Sequence, residues 1–124
     1  MALPVSEMYK KMQVRTAPPT ELLLMVYDVA IKSTERAIAA MKAGDGAEAN
    51  RHLLKAEGAI DELNAALDFE IGGQVARNLS SLYDFIKTSM VEANIKKEIE
   101  PLTHCLRLLG DLRETWAKAK AKLG

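Results

Sequence analysis

The stretch Leu22-Leu23-Leu24-Met25-Val26-Tyr27-Asp28-Val29-Ala30-Ile31 decides the fold. Leu24, Tyr27 and Ile31 stand three and four residues apart, and Thr34, Ile38 and Met41 continue the series. That spacing places them on one face of a helix, which must be buried against other elements. Leu22, Val26 and Val29 form a second stripe beside the first, so the start of this helix is apolar nearly all round.

Three further segments read the same way. Leu53, Ala56, Ile60, Leu63 and Leu67 make one seam; Val75, Leu79, Leu82, Ile86 and Ala93 make another. Leu102, Cys105, Leu109, Leu112, Trp116, Ala119 and Leu123 complete the set. No stretch alternates with period two, which argues against strands. Breakers separate the segments: Pro18-Pro19, Gly44-Asp45-Gly46, Gly72-Gly73, and the neighbourhood of Pro101. The pattern predicts helices over about 19–42, 46–68, 73–94 and 98–123. Short connections force antiparallel neighbours. The expected fold is all-α, an antiparallel up-down four-helix bundle, in one domain over 1–124 with a loosely attached N-terminal segment over 1–17.

The helix ends carry their own signals. Pro19 suits a first helical turn, where its missing N–H is no loss. Asp45-Gly46-Ala47-Glu48 has the spacing of a reciprocal capping box. Pro101 requires the fourth helix to begin within about a turn before it. Lys118, Lys120 and Lys122 suit the negative end of the last helix.

Composition narrows function. The chain has 124 residues, 48% hydrophobic and 27% charged, which suits one globular domain and not disorder. Lys plus Arg and Asp plus Glu are 17 each, so the formal net charge is zero. That balance gives no electrostatic basis for binding nucleic acid or an anionic membrane, and weak protection against self-association. The single cysteine, Cys105, precludes an intrachain disulfide and reads as a small buried hydrophobe. The N-terminus lacks a secretory pattern, and the longest apolar run, Leu22 to Tyr27, is too short to span a bilayer. A cytoplasmic protein without membrane insertion is expected.

Catalytic groups are scarce. The two histidines, His52 and His104, fall in no Glu-x-x-His or His-Glu-x-x-His spacing. No phosphate loop and no Cys-x-x-Cys pair occurs. No enzyme, no metal and no cofactor is therefore expected. His52-Leu53-Leu54-Lys55-Ala56 resembles the His-x-x-Lys-small core of histidine phosphotransfer domains, so a phosphotransfer module using His52 is the alternative function. That chemistry needs an exposed imidazole with Lys55 balancing the phosphate charge. A His52 ion-paired away from Lys55 removes it.

A broader pattern covers nearly the whole chain. It comprises Tyr9-Lys10-Lys11-Met12-Gln13-Val14, Thr16-Ala17-Pro18, and Glu21 through Asp28 with Ala30-Ile31. It continues through Glu62-Leu63-Asn64, Leu67-Asp68, Glu70, Gly72-Gly73, Ala76, Asn78-Leu79 and Leu82-Tyr83-Asp84. Glu92-Ala93-Asn94, Leu109, Leu112-Arg113 and Trp116 complete it. In this order the residues resemble the flagellar secretion chaperone family, FliS. The resemblance departs at Val26, where Leu is more usual, at Val29, near a usual Gly, and at Pro101.

The resemblance implies a cytoplasmic export chaperone. Such proteins engage the disordered C-terminal segment of flagellin, prevent premature polymerisation and deliver flagellin to the flagellar type III export apparatus. Client-binding candidates follow from combining that role with the apolar pattern. Leu22, Val26 and Val29 offer a groove stripe, over which Tyr9 and Val14 pack either as core or as a displaceable cover. Asn64 and Asn78 are equally far from Ile71, and Leu67 and Val75 flank them. The two amides would either anchor a client backbone or serve within the bundle, bonding each other or capping a helix. Tyr83 and Trp116 are expected in the core.

Overall fold

The computed structural model describes residues 20–123; Tyr9, Val14 and Pro18-Pro19 lie outside the described residues, as does the side chain of Leu123. Four helices follow one another: α1 (Thr20–Lys42), α2 (Gly46–Ala65), α3 (Phe69–Lys96) and α4 (Glu100–Leu123). Each packs on two others, in the ring α1, α2, α3, α4 and back to α1, and no strand occurs among the described residues. The described residues form an all-α four-helix bundle, as the periodicity predicts.

Cross-helix pairs fix the directions. Glu21 meets Lys120 at 2.9 Å and Asp28 meets Arg113 at 2.6 Å, so seven steps along α1 match seven steps back along α4. Asp61 meets Lys87 at 2.8 Å, and Asn64 donates to Asp84 at 3.1 Å, which makes α2 and α3 antiparallel. These pairs are largely solvent-exposed, so each contributes at most about 1 kcal/mol. Burial of apolar surface supplies the main driving force.

The core is rotated slightly from the expected seam on α1. Leu23, Tyr27, Ala30, Thr34 and Ala37 are fully buried, while Leu24, Ile31, Ile38 and Met41 only border the core. The cause is residue size. Ala30 and Ala37 on α1 and Ala49, Ala56 and Ala59 on α2 are buried, and these two helices make the most extensive contact in the bundle. Small side chains let two helix axes approach closely, which a pattern of large hydrophobes does not reveal. On α2 and α4 most of the expected seam is buried, namely Leu53, Ala56, Ile60 and Leu63, then Leu102, Cys105, Leu109, Trp116 and Ala119, while Leu67 and Leu112 only border the core.

The helix ends follow the sequence in part. Asp45 accepts from Glu48 N–H at 3.0 Å, as a cap should. The reciprocal half of the box is absent, because Asp45 N–H bonds the Ala40 carbonyl at 2.8 Å and the Glu48 carboxylate faces Arg51 and His52 instead. Pro101 is the second residue of α4, where it removes no helical hydrogen bond.

Gly72-Gly73 is not the connection that the sequence predicts. Asp68 caps a helix starting at Phe69, accepting from Glu70 N–H at 3.0 Å and Ile71 N–H at 3.1 Å. Gly73 then breaks the helical path with φ 52° and ψ −127°, a conformation nearly confined to glycine. The turn Phe69–Gly72 is thereby set off from the long run of α3. The break also shifts the α2/α3 register: the Asn64–Asp84 and Asp61–Lys87 pairs are both centred on Gln74.

Candidate functional site

α1 and α2 are joined by a tight turn at Ala43-Gly44-Asp45, so residues at equal steps from Gly44 lie level. Ala59 is then level with Val29, Glu62 with Val26, and Ala66 with Leu22. Along this line the two helices leave an open apolar groove of about 1060 Å³. Leu22, Met25, Val26 and Val29 form one wall; Gly58, Ala59, Leu63 and Ala66 form the other. Leu67 and Phe69, held by the Asp68-capped turn, close one end.

The groove is exposed as well as apolar. Leu22 is 48% exposed, Met25 58%, Val29 39% and Phe69 47%. Solvent contact at four large apolar side chains in one depression is unusual for a folded monomer and makes the groove the candidate binding surface. Gly58 contributes by omission: a Cβ there would meet nothing within 4 Å, so the glycine widens the groove. Charges sit at the margins, with Lys55 toward one end and Glu62, Asp68 and Glu70 toward the other.

Of the candidate residues, the groove gathers Leu22, Val26, Val29 and Leu67. Asn64, Val75 and Asn78 stand apart from its lining. Asn64 and Asn78 do not pair: Asn64 donates to Asp84, while Asn78 accepts from Gln74 at 2.7 Å. With the hairpin centred on Gln74 and not Ile71, Asp84 is level with Asn64. Val75 is partly buried against the core. Sequence reading missed Met25, Phe69 and Gly58. Met25 lay in the decisive run itself; Phe69 was hidden in a presumed connection; and Gly58 carried a signal, an isolated glycine inside a helical pattern.

His52 is turned away from phosphotransfer chemistry. Its Nε2 lies 3.2 Å from Glu48 Oε2, one turn before it, and Arg51 also bonds that carboxylate at 2.9 Å. The Arg51 hydrogen bond lowers the Glu48 pKa from its ordinary value. The imidazole is thus paired away from Lys55, the arrangement that removes the phosphotransfer reading. Cys105 is buried, and burial pushes its thiol up to about 11, which leaves it a poor nucleophile. No cluster of metal-ligating side chains occurs among the described residues. Among them no helix is long and apolar enough to cross a membrane.

Comparison with known proteins gives the family of the chain. The sequence model of the flagellar protein FliS family matches residues 1–123. The flagellar secretion chaperone FliS of Bacillus subtilis (strain 168) is 32% identical over 90% of this chain and 82% of its own length. Its namesake in Salmonella typhimurium is 34% identical over 88% of this chain and 82% of its own. That of Vibrio cholerae is 30% identical over 87% and 82%. These relatives are named as chaperones and not as enzymes, in keeping with the scarcity of catalytic groups. The match spans the residues from which the resemblance was read, and the chain belongs to the FliS family of flagellar proteins.

Proposed function

We propose that this protein is a cytoplasmic export chaperone that holds the disordered C-terminal segment of flagellin and supports its delivery to the flagellar type III export apparatus. The observation that carries this reading is the exposed apolar groove between α1 and α2, lined by Leu22, Met25, Val26, Val29 and Phe69. A segment that polymerises through amphipathic helices must keep its apolar face covered before export. A groove of this kind covers such a face by the helix-in-groove mode. The names of the relatives support the chaperone role. Tyr9 and Val14 belong to this proposal as a displaceable cover. Asn64, Val75 and Asn78, outside the groove lining, belong to it as contacts for a longer client.

Calorimetric titration with a flagellin C-terminal segment tests the reading. Binding with a negative heat-capacity change is expected, because apolar surface is buried. Absence of binding both to the segment and to full-length flagellin would contradict it. Removing residues 1–15 should leave cooperative melting intact and change the affinity; an unchanged affinity would eliminate the cover.

A further inference from the structure

The groove has a sign at each end. Lys55 lies beyond the level of Val29, toward the α1/α2 turn. Glu70 lies at the end closed by Leu67 and Phe69, and Glu62, level with Val26, stands between it and Lys55. Neither carboxylate has an ion-pair partner among the described residues. Asp68, at the same end, is committed to capping α3. From Lys55 to Ala66 the groove floor runs about 17 Å, at roughly 1.5 Å per helical residue. That length fits about three turns of a bound helix.

A helix carries about half a positive charge at its N-terminus and half a negative charge at its C-terminus. We infer that the groove takes a client helix in one polarity, with its N-terminal end toward Glu62 and Glu70 and its C-terminal end at Lys55. This rests on the groove being the client site. The ends of the chaperone's own helices do not reverse the field. α1 and α3 begin at the acidic end and bring positive partial charge, but α2 ends there with negative partial charge. The remaining half-charge is smaller than two full carboxylate charges. The opposite polarity would set the client's free carbonyls against Glu70 and its free N–H groups against Lys55. The same gradient favours basic residues in the first turn of the client helix and acidic residues in its last.

Spin labels on the full chain read the polarity directly. Leu54→Cys marks the Lys55 end and Gln74→Cys the Glu70 end, and neither residue lines the groove. Cys105 can stay in place, since its thiol is buried and protonated at neutral pH. The probe is an isotope-labelled flagellin C-terminal segment at saturation. The expected result is loss of signal from the first turns of the bound helix with the label at residue 74, and from its last turns with the label at residue 54. The reverse pattern overturns the proposed polarity, and so does equal loss from both labels along the whole helix. Binding without loss from either label places the client elsewhere and overturns the inference while sparing the chaperone reading. No binding at all contradicts the chaperone reading itself. With the chain itself isotope-labelled at the same saturating client, loss of signal from its own residues 1–19 or from a second copy gives the groove a different occupant, and the proposal fails. A Lys55→Glu change should weaken binding and reduce its salt dependence; an unchanged affinity would remove the electrostatic basis of the polarity.

Discussion

Tyr27 on α1 and Tyr83 on α3 join non-adjacent helices through hydroxyls 2.5 Å apart at the centre of the bundle. Trp116 of α4 donates its indole N–H to the same Tyr27 oxygen at 3.0 Å. Three large side chains, each exposed by 2% or less, thus converge on one polar point in an apolar core. Such a point fixes the rotation of three helices at once, because a helix that slips strands a buried hydroxyl.

Tyr27→Phe removes two of these hydrogen bonds, whereas Tyr83→Phe removes one. Urea unfolding should show a loss of about 2 kcal/mol or more for the first and about 1 kcal/mol for the second. Client affinity should be unchanged in both, since neither residue lines the groove. Equal losses would show that Tyr27 is not the hub.

Alkaline pH should weaken the bundle. Burial raises the pKa of Tyr27 and Tyr83 above their ordinary 10.0, and that of Cys105 from 9.0 to about 11. The unfolded chain therefore loses these protons first as pH rises. The stability they supply is complete below pH 9, the lowest ordinary value among the three, and declines above it. Unfolding free energy measured at steps from pH 8 upward should fall beyond that point, and Tyr83→Phe should make the fall less steep. A flat profile to strong alkali would contradict the assignment.

Gly73 should resist substitution. Its φ of 52° and ψ of −127° are costly for any residue with a Cβ, so Gly73→Ala should cost about 1–3 kcal/mol in thermal or denaturant unfolding. Because the break sets the position of the Phe69 turn, the same change should also alter client affinity. Unaltered stability would mean that the break relaxes without penalty.

The architecture was legible in the sequence because large apolar residues recur at helical spacing in four segments with breakers between them. The same signal distinguished the groove stripe: Leu22, Val26 and Val29 exceed what one buried face of α1 requires, and the structure leaves Leu22 and Val29 exposed. The core alanines were not legible as the closest contact, since periodicity of large residues gives them no weight. The amide pair failed for a different reason. Glycines at 72 and 73 look like a connection, but the Asp68 cap starts the helix earlier and Gly73 bends it, which moves the register centre to Gln74.

Filling the groove from Gly58 tests the central claim most directly. A Cβ at this position meets open space, and a larger residue is a better helix former than glycine, so Gly58→Leu should fold and melt at least as high as the parent. Its side chain would enter the groove from the α2 wall beside Val29. Calorimetric titration of parent and variant with the flagellin C-terminal segment should show a loss of about tenfold or more in affinity, roughly 1.4 kcal/mol, with the fold intact. Equal affinity in the two proteins would contradict the assignment of this groove as the client site.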